Sequence, residues 1–151
     1  MKNTINTKLF NRIAKKITEH PEKFDMGAWL DWGDEGYRSG CGTIACIGGW
    51  AVLLSKSKLS ESTQKKLEKE LADHKDGTWR WASSLNFRKE AQKLLGLSKT
   101  QADNLFDVAS WPKPFYEKYR EVSWKPGSMS NYRKMAKIAV KRINYLLEKG
   151  L

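Results

Sequence analysis

Residues 130–150 read SNYRKMAKIAVKRINYLLEKG, and this stretch decides the fold class. Tyr132, Met135, Ala136, Ala139, Ile143, Leu146 and Leu147 recur at the three- and four-residue spacing that gathers side chains on one face of an α-helix. Ser130 or Asn131 is placed to cap that helix, because either side chain can accept from the free amides of a first turn. The opposite face carries Lys134, Lys137 and Lys141, with Tyr145 continuing the row and Arg133 beside it. A helix with one apolar stripe must bury it against other elements, and the chain ahead of it supplies more helices.

Working back from it, WPKP at 111–114 predicts an extended link whose Pro114 sits in the first turn of a helix over FYEKYRE. Ser98 is a cap for a segment that turns Ala102, Leu105 and Phe106 inward. Before it, residues 84–95 set Phe87, Ala91, Leu94 and Leu95 on one face, and Gly96 is the expected left-handed residue closing that helix. Ser60 opens a charged helix to about residue 74, supported by Leu67 and Leu71, and Asp76-Gly77 ends it with a turn. TWRWA at 78–82 alternates like a short strand and is equally compatible with the start of a helix.

Thr43 is a candidate N-cap for IACIGGWAVLLS at 44–55, which is hydrophobic nearly all round and therefore predicts a buried central helix. Gly48 and Gly49 within it each cost roughly 1 kcal/mol relative to alanine, and close approach of another backbone is the usual reason for such glycines. Residues 25–42, DMGAWLDWGDEGYRSGCG, predict a glycine-rich loop with apolar anchors that packs over other elements. Asn6 and Thr7 open a first helix whose buried face is Leu9, Phe10, Ile13, Ala14 and Ile17, until His20-Pro21 stops it. The expectation is one all-α domain over 1–151, with six or seven helices around a central apolar helix and little or no sheet. No internal repeat or interdomain linker interrupts it.

Composition narrows the function. With 151 residues, 40% hydrophobic and 30% charged, the chain is of globular composition and can bury one core. The basic first residues hold no apolar run long enough for a secretory signal, and no later segment approaches the roughly 18 to 20 apolar residues that cross a bilayer. The expected location is the compartment where the chain is made, the cytoplasm, with no membrane partner. Lys and Arg number 28 against 17 Asp and Glu, a formal charge of +11 that concentrates anionic partners near the surface. Residues 111–151 hold ten Lys and Arg against three Glu, so most of the excess lies in the C-terminal quarter.

The run Cys41-Gly42-Thr43-Ile44-Ala45-Cys46-Ile47-Gly48-Gly49-Trp50-Ala51 resembles the CGTxxCxxGWA signature of a family of small bacterial and phage proteins. His20-Pro21 through Trp29 is similar to elements ahead of that signature. AQKLLGL at 91–97, QADNLF at 101–106 and Trp111-Pro112 are similar to its later helices. The resemblance covers roughly residues 9–120 and stops short of the basic C-terminal helix. It implies a shared fold and a bacterial or phage origin, and brings no established activity.

Several constellations could carry chemistry. Cys41 and Cys46 are five apart, wider than usual zinc pairs, and only His20 and His74 could complete a four-ligand set. Structural, metal-free thiols are the expectation, with no cofactor. Gly42-Thr43 before a helix could hold a phosphate on the first-turn amides, although a capping threonine after a tight turn explains the same residues. No GxxxxGK run follows a strand, which disfavours a nucleotide hydrolase. Asp25, Asp31, Asp34 and Glu35 could supply a glycosidase-like carboxylate pair, but no acid lies between Glu35 and Thr43 as the phage-lysozyme order requires. The lysine row can track phosphates while an aromatic ring stacks on a base, and its plain reading is a solvated helix face.

Together these readings predict a non-enzymatic binding protein for an anionic ligand, either a nucleotide-like small molecule or nucleic acid, phage-encoded and acting on a host process such as defence. The candidate ligand-binding residues are Gly42, Thr43, Trp50, Lys134, Lys137, Lys141 and Tyr145. The alternatives are a small lysozyme-like hydrolase using the loop carboxylates and a basic module that docks on an acidic host protein.

Overall fold

The computed structural model describes residues 4–33, 42–75, 85–125 and 127–151. Among these are seven α-helices: α1 (Thr7–Glu19), α2 (Ile47–Leu54), α3 (Glu61–Lys75), α4 (Phe87–Leu95), α5 (Lys99–Phe106), α6 (Lys113–Ser123) and α7 (Met129–Lys149). Among the described residues, sheet is confined to an antiparallel pair, β1 (Asp31–Gly33) with β2 (Gly42–Ile44). The protein is all-α, as the periodicity requires.

The centre is α2, in which every residue from Ile47 to Val52 is buried. It packs against α4 and α1, while α7 lies across α1 and α6. Gly49 is needed because a Cβ there would collide with the main-chain carbonyl of Trp29, and one on Gly48 would strike the Trp29 ring. The predicted close approach of a second backbone is therefore made at Gly49 by Trp29, while Gly48 meets a side chain instead. Trp29 itself is held edge-on by Phe106 at 5.4 Å and stacked on Phe87 at 6.4 Å between centroids.

Several caps fall where polar residues were expected. The Asn6 side-chain oxygen accepts from the Leu9 amide at 3.0 Å, and its amide group donates to the Leu94 carbonyl at 3.1 Å, fastening the start of α1 to the end of α4. Ser98 and Gln101 form a reciprocal capping box on α5. Gly96 closes α4 at φ +67°, where a Cβ would also meet the Thr4 carbonyl. Pro114 lies in the first turn of α6.

Three boundaries differ. Thr43 does not cap the central helix; it lies on β2 opposite Trp32, and α2 begins four residues later. The reason is that residues 44–46 are drawn out by backbone pairing. The Ala45 amide donates to the Lys23 carbonyl at 3.1 Å, the Ala45 carbonyl accepts from Asp25, and the Cys46 amide donates to Ala28 at 2.8 Å. The chain turns helical only after these bonds are spent, so the Cys46 sulfur caps α2 by accepting from Gly49 at 3.3 Å. At α4, Asn86 is the cap, so the helix starts at Phe87 instead of at Ser84. At α7, Ser128 replaces Ser130 and Asn131, because the earliest of these hydroxyl or amide side chains already accepts from the Asn131 amide at 3.2 Å. The turn at Asp76-Gly77 and the TWRWA segment lie outside the described residues. No helix among the described residues is long and apolar enough to cross a membrane.

Candidate anion-binding groove

Two amphipathic helices lie side by side at the C-terminal end of the chain. α6 turns Phe115, Lys118 and Val122 toward α7, positions three and four apart that share a helical face, and Lys125, just past the Trp124 cap, continues the rim. α7 answers with Lys134, Lys137, Ile138 and Lys141. The result is a groove of about 350 Å³ with an apolar floor of Pro114, Phe115, Val122 and Ile138, rimmed by five lysines and Glu121. Among the described residues Lys118, Lys134, Lys137 and Lys141 form no ion pair, while Lys125 stands 3.9 Å from Glu121.

Lys134, Lys137 and Lys141 thus lie together on one rim, as the sequence pattern requires, and all three are exposed. Their spacing is itself unfavourable: like charges three and four apart on a helix cost a few tenths of a kcal/mol each in the free protein. Bound anions would relieve that repulsion. Lys118 and Lys125 were not singled out from sequence. The signal was present in FYEKYREVSWK, whose lysines share the helical period of Phe115 and Val122.

Tyr145 does not extend the row as an open ring. It is half-buried, packed on Phe115 at 5.3 Å between centroids, with the Arg142 guanidinium 5.8 Å from its own centroid. Arg142, one of the ten Lys and Arg of residues 111–151, has no exposure at all. It donates to the main-chain oxygen of Leu151 at 2.7 Å and to the Asn104 carbonyl at 3.3 Å, and burial lowers its pKa. It pins the end of α7 to α5 and contributes nothing to an exposed rim.

The other candidate positions stand elsewhere. Trp50 is a core residue whose indole N–H donates to the Lys23 carbonyl at 3.0 Å, with the Lys16 ammonium 5.0 Å from the ring. Gly42 and Thr43 are strand residues, so the first-turn amides of α2 are not theirs to offer, and the Gly49 amide is already bonded to Cys46. The Cys46 thiol is pushed up to about 11 by burial, which keeps it a protonated, poorly nucleophilic group. Cys41, and with it the cysteine pair and the four-ligand metal site, lies outside the described residues, as do Asp34 and Glu35. The Asp25 carboxylate accepts from the Gly27 amide at 2.8 Å across its own turn.

No family model matches the chain, and no curated protein or solved structure shows significant similarity to it.

Proposed function

We propose that this protein is a non-enzymatic binder of an anionic ligand, nucleotide-like or nucleic acid, which it holds in the groove between α6 and α7. The observation that carries this reading is four lysines without ion-pair partners among the described residues, gathered around an apolar floor. Ammonium groups meet phosphates as point charges, while Phe115, Val122 and Ile138 offer a dry surface to a sugar or base. Gly42, Thr43 and Trp50 take no part in it. The phage setting and the host process belong to this proposal through the sequence resemblance alone.

The test is titration at low salt with mononucleotides, oligonucleotides and an acidic polypeptide, followed by calorimetry. Binding of a phosphate-bearing ligand that weakens steeply with salt is the expected result. Binding of the acidic polypeptide alone would transfer the groove to a protein partner, and binding of none of them would refute the reading.

A further inference from the structure

Trp124 closes α6 as its C-cap residue, and its side chain is 77% exposed. The contrast with Trp50 and Trp111, which are buried, and Trp29, which is wedged between Phe87 and Phe106, makes it the outward-facing ring among the tryptophans whose side chains are described. A single exposed apolar residue needs no explanation by itself. Its setting supplies one. The Arg120 guanidinium stands 5.7 Å from the Trp124 ring centroid and donates to the Tyr116 hydroxyl at 2.9 Å, so an aromatic–guanidinium stack braces the indole from one side. The hollow beside Trp124 is lined in part by Glu121, which also lines the lysine groove, so the two depressions share a wall.

We propose that the groove's ligand is single-stranded nucleic acid, its phosphates following the lysines between α6 and α7 while a base stacks on the open face of Trp124. This inference rests on the groove reading and names its ligand class. Trp124 and Val122 are two residues apart, hence on nearly opposite sides of α6, separated by about the 10–12 Å width of a helix. Occupying both places takes a strand of several nucleotides, longer than one mononucleotide. The charge pattern fixes which part goes where. The Trp124 hollow sets one cation, Arg120, among the carboxylates of Glu117 and Glu121, whereas the groove sets five lysines around Glu121 alone, so the phosphates favour the groove and an uncharged base fits the hollow. A duplex presents its bases already stacked and paired, with no free face for the indole, whereas a single strand can splay one out.

The experiment is fluorescence anisotropy with a labelled oligothymidylate of about twelve nucleotides, within the span such sites cover. Its duplex with oligodeoxyadenylate and the mononucleotide serve as competitors. The single strand should outcompete both. Trp124→Ala should weaken it roughly 5- to 150-fold, the range for losing one stacked base, with an unchanged salt slope and an unchanged circular dichroism spectrum. Trp124→Phe should retain much of the affinity. Equal binding of the duplex, or oligothymidylate binding unaltered by Trp124→Ala, would overturn the inference while leaving the groove reading standing. Failure of strand, duplex and mononucleotide alike would overturn the groove reading, and this inference with it.

Discussion

Replacing Lys134, Lys137 and Lys141 together with glutamine separates a phosphate-binding rim from a merely solvated helix face. Five lysines rim the groove, and each phosphate they neutralise on a single strand steepens the salt dependence by about 0.7 in log–log slope. If all five engage, affinity should fall about 130-fold between 50 and 200 mM salt. With only Lys118 and Lys125 left, the same change of salt should cost about sevenfold. The variant should fold, because all three side chains are exposed and Met135, Ala136, Ala139 and Ile143 on the other face are untouched. It should even gain about 0.4 to 1 kcal/mol at low salt, since the repulsions between 134 and 137 and between 137 and 141 disappear. Anisotropy across a salt series gives the slopes, and urea unfolding gives the stability. A slope equal to that of the unaltered protein would refute the argument, for it would mean that the phosphates lie elsewhere.

Gly49→Ala should destabilise by about 1 to 3 kcal/mol although alanine is the better helix former, because the new Cβ meets the immovable Trp29 carbonyl. Gly48→Ala should cost less, since its Cβ meets side-chain ring atoms of Trp29 and not main chain, and a denaturation series giving the reverse order would contradict this packing. In a Cys41→Ser background, iodoacetamide at pH 8 should modify Cys46 no faster than the protein unfolds, because the buried thiol keeps its proton up to about 11. By the same shift, the folded state binds a proton that the unfolded thiol gives up near 9.0, so the Cys46 contribution to stability is present below that pH and is lost as pH rises toward about 11. Arg142→Ala should cost about 2 to 5 kcal/mol through an unfilled cavity and two main-chain oxygens left without their donor, whereas Arg142→Met, which fills the space, should cost less. Equal losses by thermal unfolding would show that the hydrogen bonds and not the volume dominate.

What was legible in the sequence divides along physical lines. The stripes of α1, α4 and α7 were readable because burial on one side of a helix leaves a 3.6-residue period that no loop mimics. Gly96 was readable because a left-handed residue after an apolar run has one common cause. Thr43 was misread for an equally physical reason. A helix start is set by where the backbone's other hydrogen bonds stop, and Ala45 and Cys46 are bonded to residues 23–28, partners about twenty positions earlier whose proximity no local pattern records. The same holds for Arg142, indistinguishable in sequence from Lys141 beside it until α5 and Leu151 close over one and not the other.

The groove shows how function escapes local reading even when each half is legible. The lysines of α7 stood out because they oppose an apolar stripe on the same helix. Lys118 on α6 and Lys125 past its cap oppose no apolar stripe; they alternate with Phe115 and Val122 on the side that packs toward α7, where a sequence argument expects core. A lysine among core-facing positions is tolerable only at the margin of an interface, where its stem lies along apolar surface and its ammonium reaches water. Lys118 on α6 and Lys125 just beyond its end therefore mark the open edge of the α6–α7 contact, and the facing row on α7 makes that edge a two-sided rim. A charge row on one helix is ordinary solvation. Charge from two helices converging on an apolar floor concentrates positive potential over a surface able to hold a ring, and that pairing is what the lysine and Trp124 variants test separately.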